Sequence, residues 1–456
     1  MRKLINIFKP APFIETMADE EQVKKSYKYW RIRTFYAMYI GYVFYYFTRK
    51  SFIFAMPALI ADLGFSITDL GILASILSIT YGVSKFASGI LGDRSNPRYI
   101  MSFGLIITGF INIFFGMSSS IYAFAIFWGL NGWFQGFGWP PACRLLTHWY
   151  SQKERGTWWS LWSTSHNVGG AIIPLLVAFC VLHYGWRYAM YVPGVLCIVV
   201  GLFIMNRLRD TPQSLGLPSI ENFKDDHVKG EARDKKEREF TVKEILFKYI
   251  LKNKIIWMLG ISYFFVYIVR QGVNDWSAMF LIDTKGYKEV SANLTITAFE
   301  IGGFFGMLVA GFASDYIFKG RRVPVMVLYM VAILIPFLGL IMIKTTAVTL
   351  DIILLGAIGF FIFGPQMLIG CTAADFSHKK AAATATGFVG CFAYIGAAVA
   401  GYPLTYIIKL WGWDGFLYAM AGCSIITIAL MVPLINISIR DDSDAKEERK
   451  EAKEYA

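Results

Sequence analysis

The sequence predicts an all-α membrane protein in which twelve transmembrane helices form two pseudo-symmetric bundles of six. Three observations predict this fold class: long uncharged apolar runs, basic residues confined to one set of loops, and markers that recur at nearly one spacing. Of the 456 residues, 56% are hydrophobic and only 17% are charged, a balance that is unusual for soluble domains. A bilayer core of about 30 Å needs about 20 apolar residues per helix. Runs such as residues 325–343, which carry no charge, are therefore interpreted as membrane spans.

Charged breaks between the apolar runs divide the chain into two halves. They separate about six spans between Phe35 and Asn206 and about six more between Ile255 and Ile435. We therefore predict an N-terminal six-helix bundle over residues 1–206 and a C-terminal six-helix bundle with a cytoplasmic tail over residues 255–456. Residues 207–254 are rich in Lys, Glu and Asp, including the run 229–238, and are predicted to form a cytoplasmic linker.

The net charge of +12 follows the predicted topology. Basic residues cluster in both termini, in the linker and in every second short loop, whereas the opposite loops hold few. The basic loops are residues 93–98, 151–155, 319–322 and 378–380. Because cytoplasmic loops carry the excess of Lys and Arg, both termini are predicted to be cytoplasmic. The expected partner is the lipid bilayer, and no nucleic-acid partner is expected.

Markers in the two halves indicate an internal duplication. An arginine lies in the first span of each half, an aspartate closes the second span, and a Gly-Trp pair opens the last span. The first two pairs of markers are 221 and 222 residues apart. Parallel repeats with a site at the midplane between them are typical of large secondary transporters. The pairs are Arg49 and Arg270, Asp93 and Asp315, and Trp186 and Trp413.

Basic side chains inside the apolar runs are the strongest indication of a site. Arg49 and Lys50 interrupt the first span, Lys85 the second, and Arg270 the first span of the second half. A cation near the bilayer centre is costly, so it should face a cavity or a partner. A guanidinium offers forked donors that suit the oxygens of a phosphate. Two arginines at equivalent positions would clamp one phosphate on the pseudo-symmetry axis.

Each of these cations also has a purely structural alternative. Either arginine could reach an interface or pair with an acid, and the acids within membrane reach are Asp275 and Glu300. Lys50 fits an interfacial or ion-pair role as well as a role in the site. Lys85 lies deeper in its span, which favours the cavity.

Three further residues are predicted to face the substrate. His166 lies in the polar patch 163–170 inside the fifth span, where it would hydrogen-bond a phosphate. The alternative for His166 is a packed, hydrogen-bonded residue without a ligand. Tyr46 and Tyr81 are predicted to line the cavity and to hydrogen-bond a polyol, whereas most other aromatic residues belong to the core or the interfacial belts.

Motifs for catalysis, metals and cofactors are not found in the sequence. There is no P-loop, no Gly-x-Ser-x-Gly elbow and no His-Glu-x-x-His, and the six cysteines are scattered singly. We therefore expect no catalytic residue, no metal site, no cofactor and no enzymatic activity. Without an ATP site, uphill movement would have to be coupled to a gradient or to exchange.

Several motifs together resemble one known family along nearly the whole chain. They are Tyr45-Tyr46-Phe47-Thr48-Arg49-Lys50, Ser84-Lys85-Phe86, Gly92-Asp93-Arg94-Ser95-Asn96-Pro97-Arg98, Gly136-Phe137-Gly138-Trp139-Pro140-Pro141, His166-Asn167-Val168-Gly169-Gly170 and Lys379-Lys380-Ala381-Ala382-Ala383-Thr384. On these segments the sequence resembles the organophosphate:phosphate antiporters of the major facilitator superfamily. The Trp-Pro-Pro segment, Gly156-Thr157-Trp158-Trp159 and Gly401-Tyr402-Pro403-Leu404 make it most similar to the hexose-6-phosphate branch, which includes the Uhp-type and glucose-6-phosphate transporters.

The resemblance implies roles for individual residues. The two first-span arginines of the family, which bind phosphate, fall on Arg49 and Arg270, and the family's lysine and histidine fall on Lys85 and His166. The remaining charged residues are expected to form ion pairs or to take part in gating. They are Lys50, Asp275, Glu300, Asp93 and Arg94. Glycerol-phosphate relatives have a tyrosine where this chain has Phe363, which disfavours a glycerol-3-phosphate substrate.

The resemblance also implies a function and a location. We expect a secondary transporter that exchanges a sugar phosphate, most simply glucose 6-phosphate, for inorganic phosphate by alternating access. It would act as a monomer in the bacterial cytoplasmic membrane. The alternative is a membrane sensor of external hexose phosphate that signals to a histidine kinase. A membrane phosphatase is disfavoured because Asp275 and His166 alone supply neither a nucleophile nor a metal cluster.

Overall fold

The computed structural model describes residues 8–65, 67–226 and 240–437, and within these residues it contains helices and no strand. The charged run 229–238 and the tail from residue 438 onward lie outside the described residues. Six long helices form the first half. They are α1 (Glu20–Leu63), α2 (Ile67–Asp93), α3 (Pro97–Met117), α4 (Ile121–Gln135 and Trp139–Trp149), α5 (Arg155–Ser163 and Ser165–Tyr184) and α6 (Tyr188–Arg207).

The second half repeats this arrangement with six more helices. They are α7 (Lys254–Lys285), α8 (Glu289–Phe312, continued by the π-helical Ala313–Ile317), α9 (Arg322–Ala332 and Leu334–Met342), α10 (Val348–Asp375), α11 and α12. The last two share the stretch Tyr402–Met431, which is broken at Gly412. Hence α11 comprises Ala382–Val399 and residues 402–411, and α12 comprises residues 413–431. The linker contributes the short helices Pro212–Leu215, Ile220–Lys224, Val242–Glu244 and Ile245–Leu251.

The predicted fold class is confirmed, although the spans differ in character. Among the described residues, nine helices are long and apolar enough to cross a membrane. The helices α1, α2 and α4 are not among the nine. The helix α4 is interrupted between Gln135 and Trp139, so neither of its segments is long enough by itself. All three helices carry polar side chains into the bundle, such as Arg49, Lys85 and Gln135.

Helix packing repeats between the halves as well. In the first half α1 packs against α5 and α6, and α2 packs against α4. In the second half α7 packs against α11 and α12, and α8 packs against α10. The halves meet along α2 with α11 and along α5 with α8, which are equivalent pairs. The domain boundaries at residues 206 and 255 stay predictions, although α6 ends at Arg207 and α7 begins at Lys254.

The Gly-Trp markers close equivalent loops in the two halves. The indole Nε1 of Trp186 donates to Asp62 at the end of α1 over 2.8 Å. In the second half the indole Nε1 of Trp413 donates to Asp283 near the end of α7 over 3.2 Å. The glycine before each tryptophan has a positive φ, of 89° and 66°. Only glycine adopts this backbone without strain, so each one ends a helix and turns the chain into the next span.

Small residues in α8 allow an unusually close approach to α10. A Cβ on Gly302 would lie 2.0 Å from the carbonyl oxygen of Gly356, and one on Gly306 would lie 2.0 Å from that of Phe360. No side chain fits at either position, so these two glycines of α8 serve tight helix packing.

The linker joins both halves at one end of the bundle, which we call the linker side. Tyr27 of α1 donates to the carbonyl of Pro218 over 2.5 Å. Beyond it, Glu221 accepts from Lys379, which precedes α11, over 2.8 and 2.9 Å. Burial alone would raise the pKa of the Glu221 carboxyl, but the Lys379 ammonium outweighs burial and lowers it. The linker is therefore tied to the second half by a partly buried ion pair.

We predict that Glu221→Gln lowers the unfolding temperature of the purified protein at neutral pH by about 2 °C, because about 1 kcal/mol of charge-assisted hydrogen bonding is lost. The lowered pKa means that the ionised carboxylate stabilises the fold above its ordinary pKa of about 4.3, and that this contribution disappears as the pH falls through the folded value. The unfolding temperatures of the two proteins should therefore converge once the pH falls below the lowered pKa of Glu221.

The exposed pair of Glu21 and Lys25 provides the control, since both side chains are 77% exposed. Glu21→Gln should leave the unfolding temperature unchanged at every pH. Equal unfolding temperatures for the original protein and Glu221→Gln at neutral pH would contradict a stabilising role of the linker contact.

Candidate functional site

Arg49 lies buried in the middle of the bundle, with 7% of its surface exposed. Its guanidinium carbon is 4.7 Å from the ring centre of Tyr46 and 4.4 Å from that of Tyr81. Its Nε donates to Oε1 of Gln135 over 3.1 Å. Its Nη2 is buried and, among the described residues, has no hydrogen-bond partner. The protein thus holds one donor of Arg49, whereas another has no partner within the described part of the chain.

Arg270 occupies the equivalent position on α7. Its guanidinium carbon is 4.8 Å from the ring centre of Phe363 and 5.7 Å from that of Tyr267. Its Nε is buried without a hydrogen-bond partner among the described residues. Both arginines therefore rest on aromatic rings and keep donors free, which is the state expected of a guanidinium that awaits an anion.

Aromatic contacts connect the two arginines into a closed circuit. Tyr81 contacts Tyr394 with ring centres 4.7 Å apart, and Tyr394 lies 5.8 Å from Tyr267. On the other side Phe363 stacks almost parallel to His166 at 6.2 Å, and His166 lies 5.9 Å from Tyr46. We call this circuit the central ring. Its members are Arg49, Tyr46, Tyr81 and His166 from the first half and Arg270, Tyr267, Phe363 and Tyr394 from the second.

Lys85 extends the central ring on the side of α2. It is 3% exposed, and its Nζ lies 4.9 Å from the ring centre of Trp139 and 5.3 Å from that of Tyr394. None of the ion pairs among the described residues involves this ammonium. A Cβ on Gly390 would lie 2.8 Å from the Lys85 Cε, so the glycine leaves room for the lysine side chain. The structure thus places a third cation beside the two arginines.

His166 adds a further free polar atom to the central ring. Its Nε2 is buried and has no hydrogen-bond partner among the described residues. The structure therefore brings together all six residues that the sequence predicted as substrate-binding. They are Arg49, Arg270, Lys85, His166, Tyr46 and Tyr81.

The predicted ion pairs near the site are not formed in this structure. Lys50 lies within electrostatic reach of Asp275 and Glu300 but forms an ion pair with neither. Asp275 instead accepts from two side-chain amides of its own helix at 2.7 to 2.9 Å. Glu300 accepts from Asn167 of the other half over 3.0 Å. Neutral amides donate to both carboxylates, and among the described residues neither carboxylate forms an ion pair with Arg49 or Arg270. Glu300 still lies within electrostatic reach of Arg270.

Asp93 holds the two halves together on the linker side. Its carboxylate accepts from the backbone N–H of Ala383 at 3.0 Å and from the N–H and hydroxyl of Thr384 at 2.7 and 2.6 Å. These groups lie at the start of α11, where the helix dipole favours a negative charge. Arg94, which we expected to share this role, is exposed and forms no ion pair among the described residues.

Asp315 makes the equivalent contact from α8 to the start of α5. It accepts from the N–H groups of Gly156 at 3.1 Å and Thr157 at 2.6 Å. Arg322 supports this carboxylate over 2.8 Å. The same Arg322 donates to Asp375 over 2.6 Å, and Asp375 also pairs with Arg155 of the first half. We call the contacts of Asp93 and Asp315 across the two halves the paired latches.

Four members of this site were not selected from the sequence. Tyr267 and Tyr394 were indistinguishable from the many aromatic residues of core and belts. Phe363 was noted only as a departure from a family pattern. Gln135 had a usable signal, because Asn131 and Gln135 are polar, four residues apart and hence on one face of an apolar helix.

We predict that breaking one latch opens the linker side. Asp93→Ala removes three hydrogen bonds and a charge at a helix N-terminus, which should favour the open state by about ten-fold or more. A reporter is the buried Thr386, replaced by cysteine in a protein whose six native cysteines are replaced. Its labelling by a maleimide should accelerate in Asp93→Ala and also in Asp315→Ala.

A matched control is Asp62→Ala, which removes an aspartate at a helix end on the side opposite the linker. Labelling at position 386 should not change in that variant. Unchanged labelling in both latch variants would show that these carboxylates do not hold the linker side closed.

Comparisons with known proteins agree with the geometry. A model of the Major Facilitator Superfamily matches residues 38–401. The chain is 58% identical over 438 residues to the "Probable hexose phosphate transport protein" of Chlamydia pneumoniae, covering 94% of this chain and 96% of that protein. It is 48% identical over 420 residues to the "Membrane sensor protein UhpC" of Escherichia coli strain K12, covering 92% and 95%.

A likeness in structure shows the same fold. The proton:xylose symporter XylE, solved with bound 6-bromo-6-deoxy-D-glucose, superimposes with a TM-score of 0.70 at 10% identity, over 90% of this chain and 96% of that one. The family model and the sequence relatives confirm the family resemblance of the motifs, and the family is one of transporters rather than enzymes. This chain is a multi-pass membrane protein that belongs to the major facilitator superfamily, in the branch that contains the hexose phosphate transport proteins and the UhpC sensors.

Proposed function

We propose that this protein transports a sugar phosphate, with glucose 6-phosphate as the expected substrate, in exchange for inorganic phosphate. One observation carries the proposal: two guanidinium groups from equivalent helices lie in the central ring, and both keep N–H groups that have no partner among the described residues. Neither guanidinium forms an ion pair with a described carboxylate, so an anion from outside the chain is a natural partner.

Phosphate suits this site better than other anions. A guanidinium presents two parallel N–H groups to two oxygens of one phosphate, and both inorganic phosphate and a sugar phosphate offer the same group. Lys85 adds donors beside the arginines, and His166 adds a ring nitrogen without a partner among the described residues. The rings of Tyr46, Tyr81 and Trp139 provide apolar faces for the sugar.

The relatives support a hexose as the organic part of the substrate. The protein from Chlamydia pneumoniae, at 58% identity, is described as a hexose phosphate transporter, and UhpC, at 48%, as a membrane sensor. Phe363 also supports a sugar over a smaller phosphate ester. Its ring lies against Arg270 without a hydroxyl group that would occupy space in the central ring.

The proposed transport cycle follows from the position of the site between the two halves of the chain. Arg49 belongs to the first half and Arg270 to the second, so a phosphate between them draws the halves together. Closure around the substrate would then open the paired latches of Asp93 and Asp315 and expose the site to the linker side. Substrate drives this change only by binding the closed intermediate more tightly than the open states. Without an anion, two unscreened cations oppose closure, and this enforces exchange.

The membrane orientation follows from the basic loops. We infer that both termini and the linker lie in the cytoplasm of a bacterial cell and that the cytoplasmic membrane holds the protein. The linker side is then cytoplasmic, and the paired latches close the site to the cytoplasm. One chain contains both arginines, so a monomer suffices.

The 48% identity to UhpC supports a second candidate function, a sensor of external hexose phosphate. The central ring would bind the same ligand, and the output would be contact with a histidine kinase in the membrane. A measurement of exchange separates the two functions. A transporter moves hexose phosphate across the membrane in exchange for phosphate, whereas a sensor binds hexose phosphate without moving it.

We predict that proteoliposomes loaded with inorganic phosphate take up labelled glucose 6-phosphate and that empty vesicles do not. Arg49→Ala and Arg270→Ala should each lower the initial rate at least about 100-fold, because a buried charge-assisted contact is lost. Replacement of either arginine by lysine keeps the charge but not the fork, and should lower the rate about ten-fold.

Arg187→Ala is the matched control, since Arg187 pairs with Asp62 away from the central ring. Its rate should stay within about two-fold of the original protein, as expected for an exposed ion pair. Uptake that does not depend on internal phosphate would contradict exchange. Binding of glucose 6-phosphate without any uptake would favour the sensor.

A further inference from the structure

We infer that Gln135 is a positioning residue that determines which edge of the Arg49 guanidinium faces the substrate. The inference rests on the proposed function and extends it to a residue outside the central ring. Gln135 is fully buried, on α4, and accepts from the Nε of Arg49 over 3.1 Å.

The backbone carbonyl of Thr48 fixes the orientation of the Gln135 amide through the amide of Asn131. The carbonyl oxygen of Thr48 can only accept, so the amide nitrogen of Asn131 points to it, at 2.9 Å. The amide oxygen of Asn131 therefore faces the Gln135 nitrogen at 3.4 Å. That nitrogen also donates to the hydroxyl of Thr48 at 2.9 Å. The Gln135 oxygen is thus left to face Arg49.

Close packing of α4 against α2 fixes the backbone that carries this chain of contacts. A Cβ on Gly132 would lie 2.0 Å from the hydroxyl oxygen of Thr80, and one on Gly136 would lie 2.3 Å from that of Ser84. Each glycine directly follows one of the two amide residues, Asn131 and Gln135, in the chain. The amides of α4 therefore cannot shift away from Arg49 without a rearrangement of two helices.

The consequence is a difference between the two arginines. Because Gln135 occupies the Nε of Arg49, only the edge with the two terminal nitrogens is left for a phosphate. Arg270 has no such partner: its Nε is unpartnered among the described residues, and its neighbour is the ring of Phe363. Arg49 is the pre-oriented half of the proposed clamp, and pre-orientation lowers the entropy that binding must overcome.

The competing explanation is that Gln135 only ties α1 to α4. Asn112 provides a matched comparison, because it is a buried amide that contacts Ser51 of α1 at 3.4 Å and the carbonyl of Met190 at 2.9 Å. A tying residue affects thermal stability, whereas a positioning residue affects substrate affinity. KM and unfolding temperature measured on the same variants separate these roles.

The experiment uses the full-length protein in phosphate-loaded proteoliposomes. Gln135→Met keeps the shape of the side chain but removes the acceptor, and should raise KM for glucose 6-phosphate about ten-fold while kcat changes less than about three-fold. Gln135→Glu should raise KM further, because a carboxylate beside Arg49 competes with the phosphate. Asn112→Leu should lower the unfolding temperature and leave KM unchanged.

The outcomes distinguish the inference from the function on which it rests. If the original protein neither binds nor exchanges hexose phosphate, the proposed function fails and the inference fails with it. If the original protein exchanges normally and Gln135→Met has the same KM, only the positioning role is overturned. If Gln135→Met does not fold, Asn131→Leu provides the test, because it removes the contact that orients the Gln135 amide. A raised KM in Asn131→Leu supports the inference, and an unchanged KM overturns it.

Discussion

The central constraint on this structure is the cost of keeping two guanidinium groups inside a membrane-spanning bundle when neither forms an ion pair among the described residues. Such charges are tolerated only where a cavity, an aromatic surface or a partner receives them. Here the rings of Tyr81 and Phe363 lie against Arg49 and Arg270, and each arginine keeps a buried nitrogen that no other part of the described chain contacts by a hydrogen bond. The nearby carboxylates of Asp275 and Glu300 are occupied by amides. The fold thus leaves guanidinium donors that suit an anion, and in the proposed function the phosphate of the substrate is that anion.

The duplicated fold places one buried arginine in each half, but the contacts that hold the two arginines differ. Asp93 and Asp315 close the linker side from the two halves through equivalent contacts with helix N-termini. The arginines, in contrast, have different supports, since a hydrogen-bonded amide holds Arg49 and a phenyl ring holds Arg270. In the proposed transport cycle, symmetric latches would permit the halves to rock as rigid bodies. Asymmetric supports would hold one arginine in place for the ligand while the other adapts to it.

The fold could be predicted from the sequence because it depends on properties of single segments of the chain. Apolar length, loop charge and the recurrence of Asp93 and Trp186 markers in both halves are visible without coordinates, and so is the improbability of Arg49 and Arg270 in lipid. Contacts between distant helices are not visible in this way. Tyr394 entered the central ring because α2 and α11 meet, and the expected Lys50 ion pairs did not form because nearby amides satisfied the acids. Whether a carboxylate contacts an amide or a lysine depends on distances between helices, and these distances cannot be derived from residue spacing in one sequence.

The central claim is that one phosphate contacts Arg49 and Arg270 together. Phosphorus–nitrogen dipolar recoupling by solid-state NMR tests it directly, with guanidinium groups labelled with nitrogen-15 and glucose 6-phosphate bound in membranes. We predict dephasing of the sugar phosphate signal that corresponds to phosphorus–nitrogen distances of about 4 Å, with about half of the effect lost in Arg49→Lys and about half in Arg270→Lys. Dephasing that is unchanged in either variant would show that only one arginine, or neither, holds the phosphate.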